Sequence, residues 1–309
     1  MKRLTLAQQK KLYYALSPFN EPTLSIEPGE TVVIETEDAF SGQVRKEGDR
    51  RDLVAMPFGN PQSGPIYVKG AEKGDTLTVE IKEIKPLIGQ GATRIPSYWW
   101  FLGDAGSVSL NKFLKPQLPH GTKIIPIKDG KVYFDKLVLP YEPMIGTLGT
   151  APEIEAITSD LPGNHGGNMD VPDFCVGNKA YFPVNVPGAL FHVGDAHAVQ
   201  GDAEICGTAV EMPAKITLTI DLVKRKKIRW PRIESPEDLI SVACSGAGRP
   251  LEEAIRIAFV ELVLWLEELG LNRWDAYQLC TQTARVRLGN LWAVAAKFPK
   301  KYLNATERS

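Results

Sequence analysis

Ile216-Thr217-Leu218-Thr219-Ile220-Asp221-Leu222-Val223 carries an apolar side chain at every second position. Successive side chains on a strand point to opposite faces, so Ile216, Leu218, Ile220 and Leu222 line one buried face of a β-strand. The same period recurs in Thr31-Val32-Val33-Ile34-Glu35-Thr36 and Thr76-Leu77-Thr78-Val79-Glu80-Ile81, which follow the turn signals Pro28-Gly29 and Lys73-Gly74-Asp75. If the first of these runs on, Val32, Ile34, Thr36 and Asp38 share a face, which sets a carboxylate at the end of an apolar row. Residues 86 to 150 add β character with long loops, including Tyr98-Trp99-Trp100-Phe101 and Lys131-Val132-Tyr133-Phe134. Strand character returns at 181–186 and 189–193.

Beyond Trp230 the pattern changes. Ser235-Pro236-Glu237-Asp238 has the composition of a helix start, with a capping serine, proline at the first helical position and acids in the first turn. Pro250-Leu251-Glu252-Glu253 opens a longer helix whose Leu251, Ala254, Ile255, Ala258, Leu262, Val263, Leu266 and Leu269 follow the 3.6-residue period. Gly270 stands where it should stop. A further helix is expected near Arg273 to Thr283, and Ser245-Gly246-Ala247-Gly248 reads as a connection between two helices. The expected fold is α+β and β-rich: an N-terminal β-sandwich-like part (1–150), a central β segment bearing the chemical motifs (151–229) and a helical C-terminal part (230–309).

The chain has 309 residues, 43% of them hydrophobic, enough for a continuous core. Its 36 basic and 37 acidic residues nearly cancel, so no overall field favours nucleic acid or an anionic membrane. A small neutral ligand fits better. The cysteines Cys175, Cys206, Cys244 and Cys280 form no CxxC pair, which argues against a disulfide framework or zinc ribbon. The N-terminus lacks an apolar signal region, and the longest apolar helix carries Glu261, Glu267 and Glu268, so a soluble, cytoplasmic protein is expected. The basic run Lys224-Arg225-Lys226-Lys227 reads as a surface turn.

Three of the four histidines lie in or beside two glycine-rich, acidic stretches: Asn164-His165-Gly166-Gly167-Asn168-Met169-Asp170, and Gly194-Asp195-Ala196-His197 through Gly201-Asp202-Ala203-Glu204. Imidazoles and carboxylates among glycines lack apolar neighbours and supply the ligands a divalent metal prefers. Asp195 and His197 are two apart, so on a strand both project to one side. His165 and Asp170 flank a glycine turn able to bring them toward one centre. A bound Zn²⁺ or similar Lewis acid lowers the pKa of its water to about 7, and Glu204 is placed to shuttle the proton.

Bland readings compete. A single histidine beside a glycine turn is ordinarily structural, and only its coincidence with Asp170, Asp195, His197 and Glu204 favours a site. His192, between Phe191 and Val193, reads as packing, and His120 as exposed. Cys206 shares strand parity with Glu204 but reads as a small buried residue. Ser107, Ser109 and Ser245 lack a Gly-x-Ser-x-Gly elbow.

These residues resemble the acetamidase/formamidase family over most of the chain. The resemblance is carried by Asn60-Pro61-Gln62-Ser63-Gly64-Pro65-Ile66-Tyr67-Val68 with Ala71-Glu72-Lys73-Gly74-Asp75, then Asn164 to Asp170, then Gly194 to Ala198 and Gly201 to Gly207. It implies a β-rich hydrolase of C–N bonds in small linear amides, a homodimer or higher oligomer, and bound zinc, calcium or both. It implies Glu204 and Asp195 as catalytic residues, His165, Asp170, His197 and Asp38 as metal residues, and Glu142 and Asn164 at the substrate. The family reads Gly-Asp-Gly-Glu where this chain has Gly201-Asp202-Ala203-Glu204, and Ala203 matters only if that position needs positive φ. His192 replaces an expected small residue, and the 285–303 tail matches less well. Two alternatives stand beside small-amide hydrolysis. One is an N-substituted formamide hydrolase with Tyr98 to Phe101 lining a larger pocket, and the other is a non-catalytic β-sandwich module stapled by an ion.

Overall fold

The computed structural model describes residues 1–95, 121–246 and 250–303. Among these, two large sheets face each other. The first has nine strands in the spatial order Lys2–Leu4, Glu30–Thr36, Ala214–Val223, Thr76–Pro86, Lys179–Pro183, Arg232–Glu234, Asp238–Cys244, Ala293–Pro299 and Arg285–Leu288. The three alternating segments read from the sequence are thus neighbours. Ile216 pairs with Ile34 on one side and Ile84 on the other, and Leu218 with Val32 and Ile81. Apart from the partly buried Leu222, their apolar faces are completely buried, which is what pins the register, because a one-residue slip would turn every one outward.

The second sheet has eleven strands and is centred on Phe191–His197. Met144–Gly149 pairs along one edge of that strand. On the other edge Gln62–Val68 pairs up to Gly194, and Glu211–Met212 takes over from Ala196. The partner changes at Asp195, whose φ of 56° lies in the left-handed region. Between the sheets lies one apolar cluster drawing Ile34, Val79 and Leu218 from the first and Ile66, Leu148 and Val193 from the second.

Two helices cover the far end of the first sheet. The helix α1 spans Leu251–Glu268 and buries Ala254, Ala258, Leu262 and Leu266 against Ala243, Val294 and Ala296. Each leucine so buried contributes about 1.5–3 kcal/mol. It ends as expected: Gly270 adopts φ 97° and donates to the Glu267 carbonyl, while Leu271 donates to that of Leu266. The helix α2 spans Arg273–Thr283, and the Asn272 side chain accepts from the Trp274 and Asp275 amides. No helix among the described residues is long and apolar enough to cross a membrane.

Two local expectations change. Ser235-Pro236-Glu237-Asp238 starts no helix; it is the turn of a hairpin joining Arg232–Glu234 to Asp238–Cys244. The same capping chemistry operates there, because Ser235 Oγ accepts from the Glu237 and Asp238 amides at 3.2 and 2.8 Å, and the flanking β-partners decide which element it closes. Ser245 and Gly246 follow a strand rather than a helix, and Ala247 and Gly248 lie outside the described residues, as do His120, Ser107, Ser109 and Tyr98 to Phe101. Strands from all three segments 1–150, 151–229 and 230–309 enter the nine-stranded sheet, so the boundaries between them fall within a shared layer.

Candidate active site

Where the edge partner of Phe191–His197 changes, a cavity of about 270 Å³ opens, lined in part by Asn60, Asn168, Asp170, Asp195, Glu204 and Glu211. His197 is completely enclosed beneath it. The left-handed turn at Asp195 leaves the parity reading intact in outcome: Asp195 Oδ1 lies 3.3 Å from His197 Nε2. Glu211, directly opposite His197 in the ladder, brings Oε2 to 3.1 Å from the same nitrogen. Neither approach is aligned as a hydrogen bond, so His197 Nε2 and Glu211 Oε2 are buried with a close charge contact but no hydrogen bond, and Asp170 Oδ1 also has no hydrogen-bond partner.

The surrounding polar groups fix these side chains. Gln200 Oε1 accepts from His197 Nδ1 at 2.8 Å, while its Nε2 donates to the carbonyls of Asp170 and Gly289. Those two carbonyls require the amide nitrogen, so the amide cannot flip, and the imidazole proton belongs on Nδ1. Nε2 then faces the carboxylates, and although burial opposes charge on the ring, the Glu211 and Asp195 charges raise the imidazole pKa well above its ordinary value. Asp195 Oδ2 accepts from Thr147 Oγ1 at 2.9 Å and Asn60 Nδ2 at 3.2 Å. Asp170 Oδ2 accepts from Asn290 Nδ2 at 2.8 Å, and Asn290 also holds the Asn168 carbonyl. Gly146 forms the floor: a methyl group there would lie 2.5 Å from Asp170 Oδ1, 2.7 Å from Asp195 Oδ2 and 2.9 Å from His197 Cε1.

Crowding sets the protonation. Burial, reinforced by the Asp195 charge, raises Asp170 to about 7. Burial likewise raises Glu211 to about 7 against the pull of His197, and with the Asp170 charge it pushes Glu204 well above the ordinary carboxylate range. Asp195 is held low: burial opposes ionisation, but His197 and the Thr147 hydroxyl outweigh it. So many acids around one imidazole cannot all ionise unless a further cation joins them.

The donor set fits such a cation. Ligand-capable atoms of Asp170, Asp195 and His197 lie within 4.8 Å of one another, and so do those of His197, Glu204 and Glu211. One imidazole nitrogen among carboxylate oxygens suits Zn²⁺ or a similar divalent ion.

Other expected site residues lie elsewhere. His165 joins neither group: Gly166 and Gly167, with φ of 105° and 85°, turn its ring toward Gly163 instead of the cluster. The ring is wholly buried with both nitrogens unpartnered, and burial lowers its pKa to about 4. Asp38 is also outside both groups; it ion-pairs with Arg45 and accepts from the Phe40 and Gly42 amides at 2.9 and 3.0 Å. Glu142 and Asn164 are exposed and do not line the cavity. Gly201 to Glu204 is a tight turn rather than a strand, so the parity argument for Cys206 lapses. Asp202 pairs with Arg287, and Cys206 is only partly buried. His192 packs as expected, donating from Nδ1 to the Leu190 carbonyl and accepting at Nε2 from Asn20.

Glu211, Asn168, Thr147, Gln200 and Asn290 went unread. Glu211 and Thr147 arrive by cross-strand pairing, and Asn290 comes from the tail, so no spacing along the chain announces them. Asn60 and Asn168 stood inside quoted motifs without an assigned role.

The sequence profile of the Acetamidase/Formamidase family matches residues 2–160 and 155–291. A crystal structure of an acetamidase from Yersinia enterocolitica superposes with a TM-score of 0.91 at 42% identity, covering 98% of this chain and 93% of that one. An acetamidase structure from Bacillus halodurans gives 0.85 at 30% identity, covering 98% and 99%. An acetamidase of Mycolicibacterium smegmatis is 29% identical over 65% of this chain, which spans only 63% of that protein's length. With its profile match extending over nearly the whole sequence, the chain belongs to the acetamidase/formamidase family.

Proposed function

We propose that this protein hydrolyses the C–N bond of small linear amides such as formamide and acetamide, releasing ammonia and a carboxylate. The observation that carries this reading is the small cavity on which Asp170, Asp195, Glu204 and Glu211 converge around the buried Nε2 of His197. Family membership supports it, and so does the volume, which suits a short amide better than an arylformamide.

Asp170, Asp195 and His197 would hold a divalent cation, with zinc favoured by the imidazole and calcium the oxygen-rich alternative. When bound, that ion supplies Lewis-acid polarisation of the amide carbonyl and lowers the pKa of water. Glu204, its proton affinity raised by burial, takes a proton from the attacking water and returns it to the departing nitrogen. A C–O bond forms, the C–N bond breaks and ammonia leaves. Asp195, kept ionised by His197 and Thr147, orients the imidazole and stabilises positive charge at the centre.

A cytoplasmic homodimer or larger homo-oligomer belongs to the same reading. The test is ammonia release from a panel of short amides by zinc-loaded or calcium-loaded protein, repeated after chelation and with Glu204→Gln. Loss of turnover in both treatments is expected. Activity indifferent to both rejects the mechanism, and a folded, metal-loaded but inert protein favours an ion-stapled binding module.

A further inference from the structure

Asp38 stood out in the sequence as a carboxylate ending an apolar row, yet it lies outside the acidic cluster. Its surroundings give it another task. Its Oδ1 accepts from the backbone amides of Phe40 and Gly42, and its Oδ2 is gripped by Arg45, which also holds Glu37 at 2.7 Å. The chain is thereby folded into a tight turn, with Ser41 and Gly42 at φ of 59° and 73°. This turn delivers Ala39 and Phe40 to the wall of the cavity. The Ala39 carbonyl accepts from the Asn60 amide at 3.1 Å, tying the turn to a residue that holds Asp195. The Arg94 guanidinium stacks 5.8 Å from the centre of the Phe40 ring.

Among the described lining residues only Ala39, Phe40, Leu53 and Pro57 are apolar, and Leu53 and Pro57 are exposed. Ala39 and Phe40 are 7% and 3% exposed, so among the described residues they form the buried apolar surface against which an alkyl group entering the cavity would leave water. The remaining surface is carboxylate, amide, guanidinium, hydroxyl or glycine. We propose that Phe40, held by the Asp38–Arg45 clasp, sets the acyl length of the amide this protein accepts. The inference rests on the amide-hydrolysis reading and names a specificity determinant within it, with Asp38 as its positioning residue.

The experiment compares kcat/KM for formamide, acetamide, propionamide and butyramide in the metal-loaded wild type and in Phe40→Ala, Phe40→Leu and Asp38→Asn. One methylene in an apolar pocket is worth roughly 10-fold or more in discrimination. The butyramide-to-acetamide ratio should therefore rise at least about tenfold in Phe40→Ala, and less in Phe40→Leu. Asp38→Asn should move it the same way through KM for the longer amides. Circular dichroism checks folding, and Phe40→Leu serves if Phe40→Ala fails to fold. Ratios within about threefold of wild type in the folded variants overturn the proposal. Should the wild type hydrolyse none of the four, the amide-hydrolysis reading fails, and dissociation constants of the same amides by ligand-observed NMR decide instead. A rank order shifted toward butyramide in the folded Phe40 variant supports the size wall, and an unchanged one rejects it.

Discussion

Gln200 and His197 meet through a hydrogen bond of 2.8 Å whose direction is settled by groups outside the pair. The Asp170 and Gly289 carbonyls both claim the Gln200 amide nitrogen, leaving only its oxygen for the imidazole. Gln200→Leu removes the acceptor, and Gln200→Glu keeps an acceptor but sets carboxylate oxygen against two carbonyls. Both should lower zinc affinity and kcat/KM by about 10–100-fold, measured by chelator competition and ammonia release. A Gln200→Glu protein with wild-type zinc affinity would show that orientation is unimportant here.

Among the described glycines, Gly146 is the one where adding a single methyl group strikes three site residues at once. Because it lies in a fully buried strand with Asp170, Asp195 and His197 packed over it, the displaced atoms have little room to retreat. Gly146→Ala should cost about 100-fold or more in kcat/KM with the fold retained, since misplacement by roughly 1 Å has that effect. A variant within fivefold of wild type would mean that the floor yields.

Ala203 has φ of 70°, in the left-handed region that favours glycine. A Cβ in the left-handed region costs about 1–2 kcal/mol, partly offset because glycine gains more freedom when unfolded. Ala203→Gly should therefore stabilise by roughly 0.5–1 kcal/mol and raise Tm by about 1–3 °C. Ala203→Val should lower it.

Burial lowers His192 to about 3 and His165 to about 4, against an ordinary 6.5. Both are thus neutral when folded and take up protons only when unfolded as pH falls below 6.5. The stability they provide is intact above that value and drains away toward pH 4 and then 3, by up to ~1.4 kcal/mol per pH unit for each ring. Replacing His192 by glutamine should flatten the decline of Tm between pH 6.5 and 4. Parallel curves for the two proteins would refute the assignment.

Period-two alternation disclosed Thr31 to Thr36, Thr76 to Ile81 and Ile216 to Val223, because each buries one whole face and admits a single register. Helix α1 and its glycine stop were equally legible, as the apolar stripe and the cap agree. Ser235-Pro236 misled because a serine that caps a helix also closes a hairpin, and neighbouring strands make the choice. At the site, Asp195 and His197 were readable from a spacing of two. His165 was not, because glycine conformations decide where its ring goes, and composition does not encode them. Glu211, Gln200 and Asn290 reach the cluster through tertiary contacts alone.

The nine-stranded sheet seats Ala293–Pro299 beside Asp238–Cys244, and the loop just before it sends Asn290 to Asp170. A nascent polypeptide stalled on the ribosome before the Arg285–Leu288 and Ala293–Pro299 hairpin emerges would carry Asp170, Asp195, His197, Glu204 and Glu211 yet lack the brace that aims Asp170. Competence should then switch on abruptly once Asn290 and the strands flanking it have emerged and zipped into the layer begun by Lys2–Leu4.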